Sequence, residues 1–187
     1  MHRLMEEFES CPIIPAVKDE AGLEKSLKMD SKIIFVLYGD ICHIADIVDR
    51  IEEAGKHAIV HMDLVEGLAP REVSVDFIHR YTKASGIIST KASLIRRGKA
   101  LGLFTIFRIF MLDSRALKNT DRECRNVSPD LIEILPGVIP DVLEELNDLM
   151  TVPLIAGGLI RKKEDVMAAL QAGCLGISTS DEDVWGM

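Results

Sequence analysis

The stretch VPLIAGGLIRKKEDVMAALQAGCLGISTS, residues 152–180, contains the pattern from which the rest of the chain is built. An apolar run, Val152 to Ala156, breaks at Gly157-Gly158. A helical stretch follows and stops at Gly173, a residue suited to the left-handed turn that ends a helix. A second apolar run, Cys174 to Ser178, then leads into the hydroxyls of Thr179 and Ser180. Both runs are continuously apolar instead of alternating, as expected of strands in a parallel sheet covered on both faces.

Working outward, the same kind of run recurs at Ile13 to Val17, Ile33 to Leu37, Ala58 to His61, Gly86 to Ser89, Leu103 to Phe110 and Leu131 to Leu135. With the two above, these make eight candidate strands. Between them apolar residues recur at helical spacing, as in Ile41, Ile44, Ala45, Val48 and Ile51, or Val142, Leu143, Leu146 and Leu149. Gly55 and Gly98 read as further helix stops. Spread over 187 residues, eight units have about 23 residues each, enough for a strand, a three-turn helix and two short loops. An open doubly wound sheet uses the same alternation, but eight units and the lack of a GxGxxG loop favour closure. The expected fold is α/β, a compact single-domain (β/α)8 TIM-type barrel over residues 1–187, with 1–12 as an N-terminal extension preceding strand one.

The composition, 48% hydrophobic and 28% charged, suits one globular domain with a sizeable core. Lys plus Arg number 22 against 30 Asp plus Glu, and the resulting charge of −8 argues against holding nucleic acid by bulk electrostatics. Any such contact must come from a local patch. Cys11, Cys42, Cys124 and Cys174 form no CxxC pair, which points to reduced thiols and to no zinc or dithiol motif. Glu6, Glu7 and Glu9 occupy the place of a signal peptide's apolar core, and no apolar run approaches a membrane span. The expected location is cytoplasmic, with no membrane partner.

In such a barrel, function gathers where strands end. The loops at Gly157-Gly158 and at Ser178-Thr179 sit where phosphate-binding barrels hold their anion, because glycine lets backbone N–H groups approach closely and hydroxyls add donors without bulk. The alternative is that Gly157 and Gly158 only permit a tight turn while Ser178 to Ser180 cap a last helix. Asp181, Glu182 and Asp183 follow, and at the start of a closing helix they would compete with a bound anion.

Polar groups inside apolar strands are costly unless satisfied, which singles out His61, Asp63, Arg108 and Glu133. Asp63 and Glu133 read as acceptors for ligand hydroxyls or as an acid–base pair. Alternatively, one of them pairs with Arg108 inside the barrel. His61 is either a ligand contact or a satisfied core histidine, and HxD alone does not make a metal site. Gly86 to Lys91 echoes Gly176 to Ser180 four units later, so Ser89, Thr90 and Lys91 are a candidate second anion site. Arg115 and Lys118, with Arg161, Lys162 and Lys163, lie beyond strands five and seven and are candidate RNA contacts, against the ordinary reading of charge runs as solvated helix faces. Phe104, Phe107 and Phe110 read as core, leaving Tyr38, Tyr81 and Trp185 as the exposed aromatics.

Ile14-Pro15-Ala16-Val17-Lys18, His61-Met62-Asp63-Leu64-Val65-Glu66-Gly67, Gly86 to Lys91, Leu112-Asp113-Ser114, Ile132-Glu133-Ile134-Leu135-Pro136-Gly137-Val138-Ile139-Pro140 and Ala156 to Arg161 together resemble the glycerol uptake operon antiterminator family, in order and over nearly the whole chain. The resemblance implies a cytoplasmic bacterial regulator that binds glycerol 3-phosphate and then acts on leader mRNA so that transcription passes a terminator. With the strand-end residues read above, the expected site has the phosphate on Gly157, Gly158, Ser178 and Thr179, with Lys18, His61, Asp63, Arg108 and Glu133 as polar contacts. No cofactor, metal or catalytic residue is expected. The alternative is a phosphate-binding barrel enzyme, an isomerase or lyase of a phosphorylated polyol or sugar, using Asp63 and Glu133 as acid and base. Expected partners are glycerol 3-phosphate, leader mRNA and, as an open alternative to a monomer, further copies of the chain.

Overall fold

The structure, a computed structural model, describes residues 2–187, and all of their side chains except those of residues 2, 3, 114, 118 and 119. Strands β1 (Ile13–Val17), β2 (Ile33–Val36), β3 (His57–His61), β4 (Gly86–Ser89), β5 (Phe104–Phe110), β6 (Leu131–Leu135), β7 (Leu154–Gly157) and β8 (Gly176–Thr179) pair in parallel, in chain order. β8 returns to β1 through Ile13↔Ile177 and Pro15↔Thr179, and the barrel is closed. Helices α1 (His2–Ser10), α2 (Glu20–Ser26), α3 (Ile44–Glu53), α4 (Glu72–Tyr81), α5 (Ala92–Ala100), α6 (Ser114–Val127), α7 (Pro140–Leu149) and α8 (Lys163–Gln171) complete the described elements.

Because side chains alternate across a strand, each continuous apolar run serves two cores at once. One set, including Val17, Val36, Val60, Ile87, Phe107, Ile134 and Ala156, packs outward under the helices. The other, including Ile14, Phe35, Ile59, Ile88, Ile106, Leu131 and Ile155, fills the barrel. The N-terminal extension is a helix whose Phe8 is fully buried in this inner set, stacked on Phe104 with ring centroids 5.6 Å apart. Since Phe104 and Leu131 open their strands, α1 closes the barrel at its N-terminal end.

Several element boundaries differ from those the sequence suggests. β7 begins at Leu154, not Val152, because Pro153 has no N–H for the ladder and contributes only its carbonyl, to Ile132 N–H. β8 begins at Gly176, where a Cβ would come within 2.7 Å of the Pro12 carbonyl oxygen. The matching glycine of β4, Gly86, is crowded in the same way by the Phe104 carbonyl, so the echo between the two strands has a steric cause. Ile41 precedes α3 instead of joining it, since the Asp40 carboxylate takes the N–H groups of Cys42 and His43 into a turn. Gly98 lies inside α5, packed against Ile87, and the helix stop is Gly102 with φ +80°. No closing helix follows β8 among the described residues, and Asp181, Glu182 and Asp183 belong to a turn. All four cysteines are free, and burial pushes the thiols of Cys124 and Cys174 up to about 12 and about 11.

Candidate functional site

One step toward the C-terminal mouth, the barrel interior turns from apolar to polar. Along the inward positions Ala16 is followed by Lys18, Ile59 by His61, Ile106 by Arg108, Leu131 by Glu133, Ile155 by Gly157 and Gly176 by Ser178. Arg108 and Glu133 are ladder partners on β5 and β6, and Arg108 Nε donates to Glu133 Oε2 at 2.6 Å. The Arg108 side chain is 9% exposed and that of Glu133 is fully buried. A buried ion pair of this kind persists only if its remaining polar atoms are satisfied, and Ser178 Oγ donates to Glu133 Oε1. Ser178 reaches across from β8 because β7, which lies between, carries Gly157 there. A Cβ on Gly157 would sit 2.5 Å from Glu133 Oε1 and 2.8 Å from Ser178 Oγ.

Above this layer a cavity of about 650 Å³ opens to solvent. Its floor is Arg108, Glu133 and Ser178, its flanks are Lys18, Leu37 and Leu135, and its wall is made of the two loops at 158–161 and 179–183. Gly158 and Leu159 are both left-handed, with φ +74° and +63°. Left-handed backbone costs a residue with a Cβ about 1–2 kcal/mol, and it holds the Leu159 side chain out into solvent. Thr179 ties the loops together: its hydroxyl donates to the Ile160 carbonyl at 2.8 Å, and its carbonyl accepts the Trp185 indole N–H at 2.8 Å. That hydroxyl proton is spent, as is that of Ser178 on Glu133, so both side chains brace the cavity that they line together with Gly158 and Ser180. The acidic turn is partly neutralised, because Glu182 pairs with Lys25 and Asp181 Oδ1 accepts the Asp183 N–H at 3.2 Å.

The opposite side of the mouth is organised by Asp63, which accepts from Ser89 Oγ at 3.0 Å and from Thr90 N–H at 2.7 Å. Ser89 Oγ in turn accepts the Lys91 N–H at 3.0 Å. The turn expected as a second anion site is thus filled by the chain's own carboxylate. His61 is 2% exposed and neither ring nitrogen has a hydrogen-bond partner among the described residues. Its Nδ1 lies 4.0 Å from Asp63 Oδ2, and burial, reinforced by the Arg108 charge, pushes the imidazole down to about 4, so the ring is neutral near pH 7. Glu133 and Asp63 each hold two donors, which leaves neither as an unengaged acid or base.

Of the basic residues, Arg115, Arg161, Lys162 and Lys163 are exposed at the mouth, and the Lys118 side chain lies outside the described residues. Trp185 is buried and Tyr38 half-buried, and Tyr81 is exposed at the far end of α4. Phe110, expected in the core, is 49% exposed at the end of β5. Sequence reasoning missed Leu37, Leu135 and Leu159 as cavity residues. For Leu37 and Leu135 the period-two count from Phe35 and Glu133 is the signal that finds them.

A family model described as glycerol-3-phosphate responsive antiterminator matches residues 13–185, which includes every strand and both cavity loops. The chain belongs to the glycerol-3-phosphate responsive antiterminator family. An antiterminator-family structure, the glycerol uptake operon antiterminator regulatory protein from Listeria monocytogenes, is 33% identical with a TM-score of 0.89, over 92% of this chain and 94% of that one. A glycerol uptake operon antiterminator-related protein from Thermotoga maritima is 28% identical with a TM-score of 0.84, over 95% and 99%. An uncharacterized protein of Escherichia coli K12, YgcP, is 45% identical over 93% of this chain and 91% of its own length. The antiterminator barrel also resembles the deoxyribose phosphate aldolase from Aeropyrum pernix, at 14% identity and a TM-score of 0.71, a likeness of fold alone.

Proposed function

We propose that the protein is a cytoplasmic sensor of glycerol 3-phosphate whose liganded form binds leader mRNA and lets transcription continue past a terminator. The observation that carries the ligand half is the mouth cavity, whose polar floor of Arg108, Glu133 and Ser178 lies beneath two short loops suited to a phosphate. The phosphate would rest on the backbone at Gly157 and Gly158, above Ser178, whose hydroxyl proton is given to Glu133, with Thr179 holding the two loops together. Lys18 and Arg161 border the cavity and offset its charge. The hydroxyls would reach the free donors of Arg108 and the oxygens of Glu133, with His61 and Asp63 on the opposite side of the mouth. Arg115, Lys118, Arg161, Lys162 and Lys163 would take RNA phosphates. No described helix is long and apolar enough to cross a membrane.

The acid–base reading draws less support, since Asp63 and Glu133 are committed to structural bonds. Titration calorimetry with glycerol 3-phosphate, glycerol and inorganic phosphate tests the sensor. The phosphate ester should bind best, and equal or absent binding of all three would remove this reading. A labelled leader RNA should bind more tightly with the ester present, with affinity falling steeply as salt is raised.

A further inference from the structure

We propose that the C-terminal rim of the barrel is a two-fold self-association surface, on which a second copy of this chain sits mouth to mouth. The inference rests on the rim alone and is independent of the ligand reading.

Six large apolar side chains stand in solvent at this end of the molecule: Ile41, Leu64, Phe110, Leu112, Val138 and Leu159, exposed by between 37% and 83%. They follow β2, β3, β5, β6 and β7 or end the strand itself, so they surround the mouth instead of forming a single spot. Exposed apolar surface bordered by charge marks an interaction site. Leu159 adds an energetic argument, since its left-handed backbone costs stability and holds a leucine where its own chain covers little of it.

The charges identify the occupant. The loops after β4, β5 and β7, with the first residues of the helices behind them, carry Lys91, Arg115, Arg161, Lys162 and Lys163; of the acids there, Asp113 is spent capping α6 and Asp165 accepts the Arg161 N–H, which leaves Glu164. The loops after β8, β2 and β3 carry Asp181, Asp183, Asp40 and Glu66, with Asp40 already paired to His43 of its own turn at 2.8 Å, and Lys18 and Arg71 are the other basic residues of that half. Lys162 and Lys163 sit on the loop adjacent to Asp181 and Asp183, yet among the described residues none of these four is in an ion pair, nor are Lys91, Arg115 or Glu66. One half of the rim is basic and the other acidic, divided by a line that runs between β7 and β8 on one side and between β3 and β4 on the other.

A two-fold axis along that line, in the plane of the rim, places each half on its opposite. The loop after β7 then meets the partner's loop after β8, β4 meets β3, and β5 meets β2. Lys162 and Lys163 face the partner's Asp181 and the partner's Asp183, Lys91 faces the partner's Glu66, and Arg115 faces the partner's Asp40. Phe110 and Leu112 meet the partner's Ile41. Every contact occurs twice, as an isologous interface requires. RNA fits this pattern less well, because a polyanion is attracted by one half of the rim and repelled by the other, while the apolar residues occupy both. Lys162 and Lys163 would serve either partner, so RNA and the second copy exclude each other.

Sedimentation of the full chain over a dilution series tests the pairing. The expected result is a dimer that weakens as salt rises. Lys162→Glu/Lys163→Glu and Asp181→Lys/Asp183→Lys, each alone, should weaken pairing on the order of 100-fold, since like charges brought together cost several kcal/mol. The two reversed chains mixed in equal amounts should pair with each other at close to the original strength. All four side chains are at the surface, and circular dichroism of each variant confirms that the fold is kept. A chain that stays monomeric at every concentration, a dimer indifferent to both reversals, or reversed chains that fail to pair when mixed would each overturn the proposal. Loss of RNA binding in Lys162→Glu/Lys163→Glu with the oligomeric state untouched would assign the rim to RNA instead.

Discussion

His61 is neutral, buried and without a hydrogen-bond partner among the described residues, and that combination has a measurable cost. Its folded pKa of about 4 lies below the unfolded value near 6.5, so the unfolded chain binds more protons between these limits and stability falls as pH drops through them. The loss amounts to roughly 3 kcal/mol by pH 4 from this residue alone. His61→Leu removes the proton uptake, so in urea melts the variant should gain on the parent steadily between pH 6.5 and 4. A constant difference would mean the imidazole is not held neutral. A second residue-scale prediction concerns Gly157. Gly157→Ala drives a methyl between Glu133 and Ser178, and it should cost about 1–3 kcal/mol and lower affinity for the phosphate ester, read by calorimetry and melting together. The sequence left open whether Arg108 finds Asp63 or Glu133, and the structure resolves it by register, with Arg108 opposite Glu133. That Ser178 completes the pair was not legible, because β6 and β8 are not neighbours and touch only where the strand between them carries no side chain.

Secondary-structure elements were read well wherever hydrophobicity alone defines them. All eight strands lie within the apolar runs or differ from them by a residue or two, and the two-residue differences, at the starts of β7 and β8, arise where Pro153 withholds a donor and where a glycine must admit a neighbour's backbone. Gly98 shows the limit of reading by type, because a glycine marks a helix end or a close contact equally well. Here it is the second, with Ile87 Cδ1 only 2.7 Å from where a Cβ would stand. Gly98→Ala should therefore destabilise the protein despite alanine's advantage of about 1 kcal/mol inside a helix, and a raised melting temperature would contradict the packing. The opening helix was not legible either, since its polar composition conceals one buried face. Phe8 is the apolar plug of the barrel's N-terminal end, so Phe8→Ala should cost about 3–5 kcal/mol in chemical denaturation while leaving the distant mouth intact.

At the scale of the whole molecule, both ends of the barrel are now accounted for, one by Phe8 and the other by a cavity whose walls are also the rim. Gly158 to Arg161 and Ser180 to Asp183 border the cavity, and they flank or include the charges that would meet a second copy. A ligand held by those loops cannot be indifferent to whether the rim is covered. Binding free energies are reciprocal, so if glycerol 3-phosphate changes the dimer's dissociation constant by some factor, pairing must change the ligand's affinity by the same factor. Ester titrations at protein concentrations well below and well above the dimerisation midpoint should therefore give different apparent affinities. The ratio should match the shift in sedimentation when saturating ester is added. Lys162→Glu/Lys163→Glu, which keeps the cavity floor and loses the pairing charges, should show one affinity at every protein concentration. The acidic turn beside the proposed anion site, a liability for a solitary chain, would then have a physical role: it would repel phosphate weakly in one molecule while drawing in the basic loop of another.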